Sequence, residues 1–296
     1  MTYLAIDVGG TTMKYALIAD VGTVVVKGDI VTPKNAPEFM HSLTDLISRH
    51  AADIQGVGLA LPGVVDHHTG TVLSSSALPF LEGVLLPQAL APALKQLPLS
   101  VENDGNAAAF AEKWQGHLAT VANGAMLVLG TGIGAAVFIN DQLYRGAHFV
   151  GSEPSFMVIN AKDPDPVAQT AASLSAVGLV SEIAQKLDLH EPNLGTQVFS
   201  AITTGNPIAL AAFEAFSRAV AILIYNLQSV LDLDRIVIGG GISAQPIVAT
   251  QLTQDFLALQ QVTPLAARTI HVPQIVSARF HNDANLIGAV YPLIAH

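Results

Sequence analysis

Short apolar runs that end in glycine-rich segments organise this chain, and the first of them sets the pattern. Residues 4–8 are apolar apart from Asp7, glycines and threonines fill positions 9–12, and a second apolar run covers residues 15–18. An apolar run, a tight glycine-rich turn and a returning apolar run predict an antiparallel hairpin. The same pattern recurs over residues 126–141 without the acidic residue. Two such hairpins in one chain predict two similar halves that close on one nucleotide.

The remaining apolar patterns alternate between strand-like and helix-like segments. They predict further strands over residues 24–30, 56–61, 99–102 and 236–241, and helices over residues 37–50, from 106, over 206–231 and over 285–294. The helix over 206–231 is apolar nearly all round, which predicts burial between layers. The alternation predicts an α/β fold with domains over residues 1–115 and 116–284, and a terminal helix within residues 285–296 that packs back on the first domain.

Composition narrows the class of protein. A chain of 296 residues has material for about two domains. Apolar residues make up 51% and charged residues 12%, which is typical of a globular chain and not of a disordered one. The net charge is −10 and no lysine or arginine run occurs. Nucleic acids and anionic membranes are therefore unfavourable partners, because binding to them requires clustered cations.

The residue types that are missing also exclude functions. No cysteine is present, which excludes disulfides, thiol catalysis and cysteine-ligated zinc and fits a cytoplasmic protein. The first residues lack the basic start and long apolar stretch of a signal peptide. Glu214 and Arg218 interrupt the most apolar helix, so no membrane span is expected. The histidines show no metal-binding spacing, and His67 and His68 beside Asp66 indicate a solvated turn.

The two glycine turns have the composition of phosphate sites. Glycine lets the backbone approach a ligand closely, and threonine offers a hydroxyl and an N–H group to an anion. The first turn contains Gly9, Gly10, Thr11 and Thr12, and the second contains Gly130, Thr131, Gly132 and Gly134. Asp7 is expected to hold a nucleotide-bound Mg²⁺ through water. The alternative is an Asx-turn residue that caps its own loop, but the adjacent glycines and threonines favour the functional interpretation.

A second polar motif, residues 102–106 with the sequence Glu-Asn-Asp-Gly-Asn, lies between a strand and a helix. This position places Asn103, Asp104 and Asn106 at the crevice where open α/β sheets bind ligands. Asp104 could accept the proton of a sugar hydroxyl while that hydroxyl attacks a γ-phosphate, since a helix N-terminus stabilises an ionised carboxylate. The alternative, that Asp104 and Asn106 are only helix caps, stays open at this point. The glycines at 239–241 would admit an adenine or a ribose, or simply make a tight turn.

Five motifs in order resemble one family. They are Asp7-x-Gly-Gly-Thr-x-x-Lys14, Glu102-Asn-Asp-x-Asn-Ala-Ala108, Gly130-Thr-Gly-Ile-Gly134, Ile238-Gly-Gly-Gly-Ile-Ser243 and Asn282-Asp-Ala-Asn-Leu-Ile-Gly-Ala289. Together they span nearly the whole chain and resemble the ROK (repressor, open reading frame, kinase) sugar kinases of the actin-like ATPase superfamily. The resemblance implies two similar actin-like, ribonuclease H-like α/β domains with a nucleotide and sugar cleft between them.

The resemblance also implies residue roles. Asp104 would be the catalytic base and would contact the sugar. The other implied sugar contacts are Gly63, Asn103, Glu153, Phe156 and Gln169. The implied contacts to Mg·ATP are Asp7, Gly9, Gly10, Thr11, Thr12, Lys14, Gly130, Thr131, Gly132, Gly240 and Gly241.

The chain departs from the family pattern at the sugar. Zinc-bearing members carry Glu-x-Gly-His followed by a cysteine cluster, whereas this chain reads Glu153-Pro-Ser-Phe156 and has no cysteine. Gln169 stands where the family has a sugar-binding glutamate. A structural zinc of the usual kind is therefore not expected. Phe156 could stack on a bulkier or less polar substrate than glucose, such as a β-glucoside or a disaccharide.

The sequence therefore predicts a Mg·ATP-dependent kinase acting on a primary hydroxyl, the 6-OH of a hexose or hexoside. The main alternative is a catalytically weak sugar-binding sensor of the same fold without a DNA-binding domain. A repressor is disfavoured because the first strand already begins near Leu4, which leaves no room for a helix-turn-helix. An actin-type or chaperone-type ATPase is disfavoured by chain length and by the motif at 102–106. Family members often dimerise, so a homodimer is compatible with the sequence.

Overall fold

The computed structural model describes residues 1–295, which form strands, α-helices and short 3₁₀ turns. The strands are β1 (Thr2–Val8), β2 (Thr12–Ala19), β3 (Val24–Val31), β4 (Val57–Leu61), β5 (Val64–Asp66), β6 (Thr71–Ser74), β7 (Leu99–Asn103), β8 (Gly124–Leu129), β9 (Ile133–Ile139), β10 (Gln142–Leu143), β11 (Arg235–Gly239) and β12 (Gln274–Ser277).

The helices follow the same order along the chain. They are α1 (Ala36–His50), α2 (Leu86–Ala89), α3 (Ala91–Leu94), α4 (Asp104–Gln115), α5 (Ala176–Lys186), α6 (Leu194–Thr203), α7 (Pro207–Leu231), α8 (Pro246–Gln260), α9 (Pro264–Thr269), α10 (Ala284–Ala289) and α11 (Tyr291–Ile294).

The chain forms two compact units. Unit 1 contains residues 1–119, residues 145–150 and the residues from Asn282 onward. Its main sheet has the order β3-β2-β1-β4-β7, in which β1 and β2 form the predicted hairpin and β1, β4 and β7 run parallel. Buried side chains of β1, β4 and α1, including Ile6, Leu59 and Phe39, form the core of this unit.

Unit 2 contains residues 120–144 and 151–281 and repeats this topology. Its sheet has the order β10-β9-β8-β11-β12, with β8 and β9 antiparallel and β8, β11 and β12 parallel. In each unit the chain therefore begins the sheet with a glycine-turn hairpin. Two further strands then extend the sheet, parallel to the first strand of the hairpin. This confirms the mixed α/β fold with two similar domains that the two hairpins predict.

The helix α4 begins two residues earlier than the pattern predicted. The Asn103 side-chain oxygen accepts hydrogen bonds from the N–H groups of Gly105 at 2.8 Å and Asn106 at 3.2 Å. Asn103 is therefore the N-cap, since its side chain satisfies two backbone donors that the first helical turn leaves unpaired. Asp104 becomes the first helical residue.

The helix α7 has the predicted bounds but not the predicted burial on all sides. One stripe, which includes Phe213, Val220 and Ile224, is buried, and the helix packs against α5, α6 and α8. Ala211 and Ala215 on another face are exposed. Alanine raises the apolar count of a helix without adding much surface that must be buried, which explains the error.

By length and composition, α7 is also the one helix among the described residues that could cross a membrane. Its buried stripe contributes to the hydrophobic core of unit 2. A single helix of this kind is weak evidence for a membrane span, because the core helix of a globular protein has the same composition.

Two segments differ from the predicted domain organisation. Residues 145–150 belong to unit 1 although the chain on both sides of them belongs to unit 2. The C-terminal segment forms α10 and α11 instead of one helix, because Pro292 has no N–H group and cannot continue the backbone ladder of α10. Residue 296 of the predicted helix lies outside the described residues.

The helix α10 packs closely on α4. A Cβ atom at Gly288 would lie 1.6 Å from the carbonyl oxygen of Ala107 and 2.8 Å from the Ala111 nitrogen. Backbone atoms of a helix cannot rotate away as a flexible side chain can. Only glycine fits at this contact.

We expect Gly288→Ala to lower the free energy of unfolding by about 1–3 kcal/mol or more, because α10 must move away from α4. Gly195→Ala is the matched control, since a Cβ atom at Gly195 in α6 meets nothing within 4 Å. Alanine there should leave stability unchanged or raise it by about 0.5–1 kcal/mol. Thermal unfolding of both variants measures the difference, and equal melting temperatures would contradict the close contact.

Candidate active site

Unit 1 brings four of the predicted site residues to one edge of its sheet. Asp7 lies near the end of β1, Gly63 follows β4, and Asn103 and Asp104 lie where β7 meets α4. The parallel register pairs Asp7 with Ala60 and Leu61 with Asn103. The carboxyl ends of parallel strands form the edge at which open α/β sheets bind ligands.

In the turn after β1, two carbonyl oxygens accept hydrogen bonds from side chains, whereas two N–H groups have no acceptor among the described residues. The Thr32 hydroxyl donates to the Gly9 oxygen at 2.7 Å, and the Lys34 ammonium donates to the Gly10 oxygen at 2.5 Å. The N–H groups of Gly10 and Thr11 have no acceptor among the described residues. Free, consecutive N–H groups in a turn form a favourable site for an anion.

Thr12 and Lys14 continue this site along β2. Lys14 is exposed and pairs with Asp7 in the β1–β2 ladder. Thr12 and Lys14 line a cavity of about 320 Å³ together with Lys27, whose ammonium lies 3.2 Å from the carboxylate of Asp283. Asp29 and Asp283 also line this cavity, so its two lysines are balanced by two carboxylates.

The carboxylate of Asp7 is partly buried and fixed from the C-terminal segment. The side-chain amide of Asn285 in α10 donates to Asp7 Oδ1 at 3.0 Å. Burial raises the pKa of Asp7, while the Asn285 hydrogen bond and the charge of Lys14 oppose the rise. A carboxylate in this environment gains from a nearby cation, because a cation offsets the cost of burying its charge.

The pKa of Asp104 is raised for a similar reason. Burial, as the largest cause, and the negative charge of Asp7 raise the pKa of Asp104, while the hydrogen bond from the Gly105 N–H at 2.8 Å opposes the rise. The effect of one carboxylate on the other means that Asp7 and Asp104 share one electrostatic environment. Asn103 and not Asp104 or Asn106 is the N-cap of α4, although the Asp104 carboxylate also accepts an N–H group of the first helical turn.

Asn103 connects two loops of this edge. Its side-chain nitrogen donates to the Gly63 oxygen at 2.9 Å, while its side-chain oxygen caps α4. Gly63 has a φ of +114°, and a Cβ atom there would lie 2.1 Å from the Ser74 oxygen. This position therefore requires glycine. The Asn103 side chain thus hydrogen-bonds to the loop of Gly63 and to the first turn of α4.

Glu102, the first residue of the motif at 102–106, forms an ion pair that is not visible in the sequence pattern. Glu102 is 3% exposed, and Arg145 donates to its Oε1. The Asn106 side chain donates to Glu102 Oε2 at 3.2 Å. Burial raises the pKa of Glu102, and the Arg145 charge opposes the rise. A carboxylate at the end of a buried strand indicates that a cation must pair with it, but only the fold identifies Arg145.

Residues 66–68 were predicted to form a solvated turn, and this is correct for His68 but not for His67. His68 is exposed, whereas His67 is half-buried with its ring centroid 3.9 Å from that of His68. Burial, together with the positive charge of Arg145, lowers the pKa of His67 to about 4. His67 is therefore neutral at physiological pH, and its imidazole ring packs against the ring of His68.

The turn after β8 in unit 2 reproduces the arrangement of the first turn. The Gly130 N–H donates to the Gly132 oxygen at 2.9 Å, and the Gly130 oxygen accepts the Ala176 N–H of α5 at 2.9 Å. The N–H groups of Thr131 and Gly132 have no acceptor among the described residues. This turn thus offers the same pair of free donors for an anion.

The glycine triplet lies beside the second turn. Gly240 has a φ of +92°, and a Cβ atom there would lie 2.0 Å from the Leu129 oxygen, so the position requires glycine. Gly130 and Gly241 line one cavity of about 450 Å³. Its walls also include the apolar residues Ala176, Val177, Val180, Leu194 and Ile242. An apolar cavity next to a phosphate-type turn suits a flat heterocyclic ring.

The remaining predicted sugar residues lie in unit 2. Glu153 is exposed and precedes the 3₁₀ turn Pro154–Phe156, and the Phe156 side chain is 76% exposed. The Ile159 N–H donates to the Gln169 oxygen at 2.8 Å, so the segments that carry Phe156 and Gln169 run side by side. The Gln169 side-chain amide donates to the Asp163 oxygen at 2.7 Å and holds its own loop.

Within residues 1–295, no group of three or more histidine, cysteine, aspartate or glutamate side chains could hold a metal ion by itself.

In the loop after Phe156, Asp163 Oδ1 accepts the Asp165 N–H at 3.0 Å, and Asp165 Oδ1 accepts the Val167 N–H at 2.9 Å. Side chains that hydrogen-bond to their own backbone therefore order this loop.

Known proteins resemble this chain along nearly its whole length. A β-glucoside kinase of Klebsiella pneumoniae is 29% identical over 296 residues, which cover 98% of this chain and 95% of that protein. A glucokinase of Halalkalibacterium halodurans is 28% identical over 315 residues, with coverage of 97% and 93%. The crystal structure of a ROK family protein from Streptococcus pneumoniae TIGR4 in complex with sucrose is 29% identical, with a TM-score of 0.87 and coverage of 99% and 97%.

The sequence profile of the ROK family matches residues 3–295. The match includes both glycine-turn hairpins, the motif around Asp104 and the C-terminal segment with Asn285. The two units with their repeated sheet topology, the paired phosphate-type turns and this match over nearly the whole length lead to one conclusion. The chain belongs to the ROK family.

Proposed function

We propose that this ROK-family protein is a cytoplasmic, ATP-dependent sugar kinase that transfers the γ-phosphoryl group to a primary hydroxyl, the 6-OH of a hexose or hexoside. The observation that carries the proposal is the carboxylate of Asp104, with a raised pKa, at the same sheet edge as Asp7 and the turn with free N–H groups. A base and a phosphate-type turn at one edge of a sheet are the parts that phosphoryl transfer requires.

Asp104 acts as the general base in this proposal. The sugar hydroxyl gives its proton to the Asp104 carboxylate as its oxygen attacks the γ-phosphorus, and the bond to the β-phosphate oxygen breaks. A raised pKa makes the ionised carboxylate a better proton acceptor. The Gly105 N–H and the cap made by Asn103 hold the carboxylate in position. Asn103 and Gly63 then orient the sugar beside it.

The turns hold the nucleotide. The free N–H groups of Gly10 and Thr11 in unit 1, and those of Thr131 and Gly132 in unit 2, bind phosphate oxygens, and Lys14 adds a positive charge. The apolar cavity beside Gly241 takes the adenosine. Asp7 would hold Mg²⁺ through water, and the partly buried carboxylate with its raised pKa fits a cation. When bound, the ion neutralises charge on the transferring phosphoryl group.

The substrate is a β-glucoside or a disaccharide in this proposal. Phe156 stands where the family pattern has a sugar-binding histidine, and its ring is 76% exposed. An exposed ring offers a flat apolar surface to a second sugar ring or an aglycone. The Gln169 side chain donates to its own loop, so it replaces a charged sugar contact with a weaker one. The similar proteins include one named a β-glucoside kinase and one bound to sucrose.

A coupled assay of ADP release tests the proposal. Mg·ATP is supplied with a panel of hexoses, hexosamines, β-glucosides and disaccharides, and the phosphorylated position of the product is determined by NMR. Turnover on one class with phosphate on a primary hydroxyl supports the kinase and identifies the acceptor. Absence of turnover, with a sugar that still raises the melting temperature, would favour the sensor.

We expect Asp104→Asn to lower kcat by about 10²-fold or more, because the general base is lost. The same variant should melt at a higher temperature than the parent at pH 7. The pKa of Asp104 is raised in the folded state, so the folded state loses stability as the pH rises above the ordinary aspartate value of about 4, and an amide avoids this cost.

The melting temperatures of Asp104→Asn and of the parent should converge as the pH falls below about 4. At that pH Asp104 is protonated in both the folded and the unfolded state of the parent. Asp53→Asn is the control, since Asp53 is exposed and outside the site. A variant of Asp104 that keeps its turnover, or that loses stability at pH 7, would contradict the assignment.

We expect Phe156→His to change the substrate preference. The ratio of kcat/KM for a β-glucoside to kcat/KM for glucose should fall by about twofold to tenfold, because the loss of aromatic stacking is worth about 0.5–1.5 kcal/mol. Phe156→Leu serves as the control that removes the ring without adding a hydrogen-bond donor. Equal ratios in the parent and in both variants would show that Phe156 does not contact the acceptor.

A further inference from the structure

Six residues of unit 1 form an excursion of the chain, which we call the clamp segment. It comprises residues 145–150, whereas Tyr144 before it and Gly151 after it belong to unit 2. The chain thus enters unit 1 for six residues and leaves again. Glu153, a proposed sugar contact, follows three residues after the clamp segment ends.

The first anchor of the clamp segment is the ion pair between Arg145 and Glu102. The Arg145 side chain is 20% exposed and the Glu102 side chain 4% exposed. The guanidinium also lies 5.7 Å from the ring centroid of Phe110 in α4. Glu102 directly precedes Asn103 and Asp104, so this anchor is attached to the loop that carries the proposed base. Breaking one side of a buried ion pair leaves the other charge uncompensated, so the pair holds its partners firmly.

The second anchor is an aromatic contact at Phe149. Its ring centroid lies 5.5 Å from that of His67 in an edge-to-face arrangement and 6.0 Å from that of His68. Phe149 has a φ of +59°, in the left-handed region that a bulky side chain adopts only when surrounding contacts impose it. The ring contacts with the two histidines are such contacts, and neutral His67 presents no charge to the Phe149 ring.

The two anchors attach to the two loops that hold the proposed sugar contacts of unit 1. The first attaches at Glu102, next to Asn103. The second attaches at His67, at the end of the short strand β5 that begins just after Gly63. The hydrogen bond from Asn103 to the Gly63 oxygen joins the same two loops at 2.9 Å. Contacts and covalent chain therefore form a closed ring through Glu102, Asn103, Gly63, His67 and the clamp segment.

We propose that the clamp segment positions the acceptor sugar, with Arg145 and Phe149 as positioning residues that fix the loops of Gly63 and Asn103 relative to each other. The inference rests on the proposed sugar kinase function. Neither residue contacts the reacting atoms, since each acts through the loop it holds. The loss of either contact should affect sugar binding more than nucleotide binding, because the turn at residues 9–12 is held separately by Thr32 and Lys34.

A double-mutant cycle at the ion pair separates positioning from stability. The variants are Arg145→Met, Glu102→Gln and the double variant, each measured with the best acceptor of the sugar panel and with ATP. Arg145→Met should raise the KM for the sugar at least tenfold and lower the melting temperature, with the KM for ATP within twofold of the parent. The double variant removes the unpaired buried charge, so the melting temperature should recover while the KM for the sugar remains raised.

Matched variants complete the experiment. Arg49→Met is the control, because Arg49 forms an exposed ion pair with Asp45 in α1, away from these loops, and all parameters should stay unchanged. Arg145→Lys keeps the charge and should restore part of the sugar affinity. Phe149→Gly tests the second anchor even if Arg145→Met fails to fold. Glycine accepts the φ of +59° but lacks the ring, so the KM for the sugar should rise about threefold or more, without a rise in the KM for ATP.

Recovery of the sugar KM together with the melting temperature in the double variant would overturn the inference, because it would assign the ion pair a purely structural role. An unchanged sugar KM in Phe149→Gly would likewise refute the second anchor. If the parent protein itself neither phosphorylates nor binds any sugar of the panel, the proposed function fails and the clamp inference fails with it. An active parent with unaffected variants refutes the clamp inference alone.

Discussion

The site depends on one constraint: the partly buried carboxylates of Asp7 and Asp104 lie at the same edge of the sheet of unit 1. Burial raises the pKa of both, and the charge of Asp7 raises that of Asp104 further. Such a pair is unfavourable for stability unless ligands compensate it. The surroundings supply partial compensation: Asn285 and Lys14 for Asp7, and the Gly105 N–H for Asp104. The remaining cost is what a cation and a proton-donating substrate would relieve.

The glycine turns of the two units share one pattern of bonded and free backbone groups. In each turn the carbonyl groups are bound by the protein, by Thr32 and Lys34 in unit 1 and by the first residue of α5 in unit 2. The N–H groups are thereby left as the available polar atoms, which favours anions. A hairpin at the start of each sheet also places its turn at the carboxyl ends of the parallel strands. The repeated topology therefore makes a phosphate-type turn in each unit.

The anchoring of the site relies on residues far along the chain from the motifs. Asn285 is separated from Asp7 by 278 positions, and Arg145 is separated from Glu102 by 43. The close packing of α10 on α4 at Gly288 fixes the segment that carries Asn285. The motif residues alone thus do not make the site. Their geometry is held by a C-terminal segment and by a short excursion of the chain.

Features that contiguous residues encode could be predicted from the amino-acid sequence. Glycine turns between apolar runs determined both hairpins and the α/β fold, and the polar residues after β7 marked Asp104, because these signals depend only on neighbours along the chain. The Asn103 cap of α4 and the break of the terminal helix at Pro292 are also local signals, which the pattern of apolar residues does not show. The one-sided burial of α7 and the packing of His67 required the tertiary structure. It alone also decided the partner of Glu102 and the raised pKa values. Burial and charge pairing are produced by segments distant in sequence, and no local pattern carries that information.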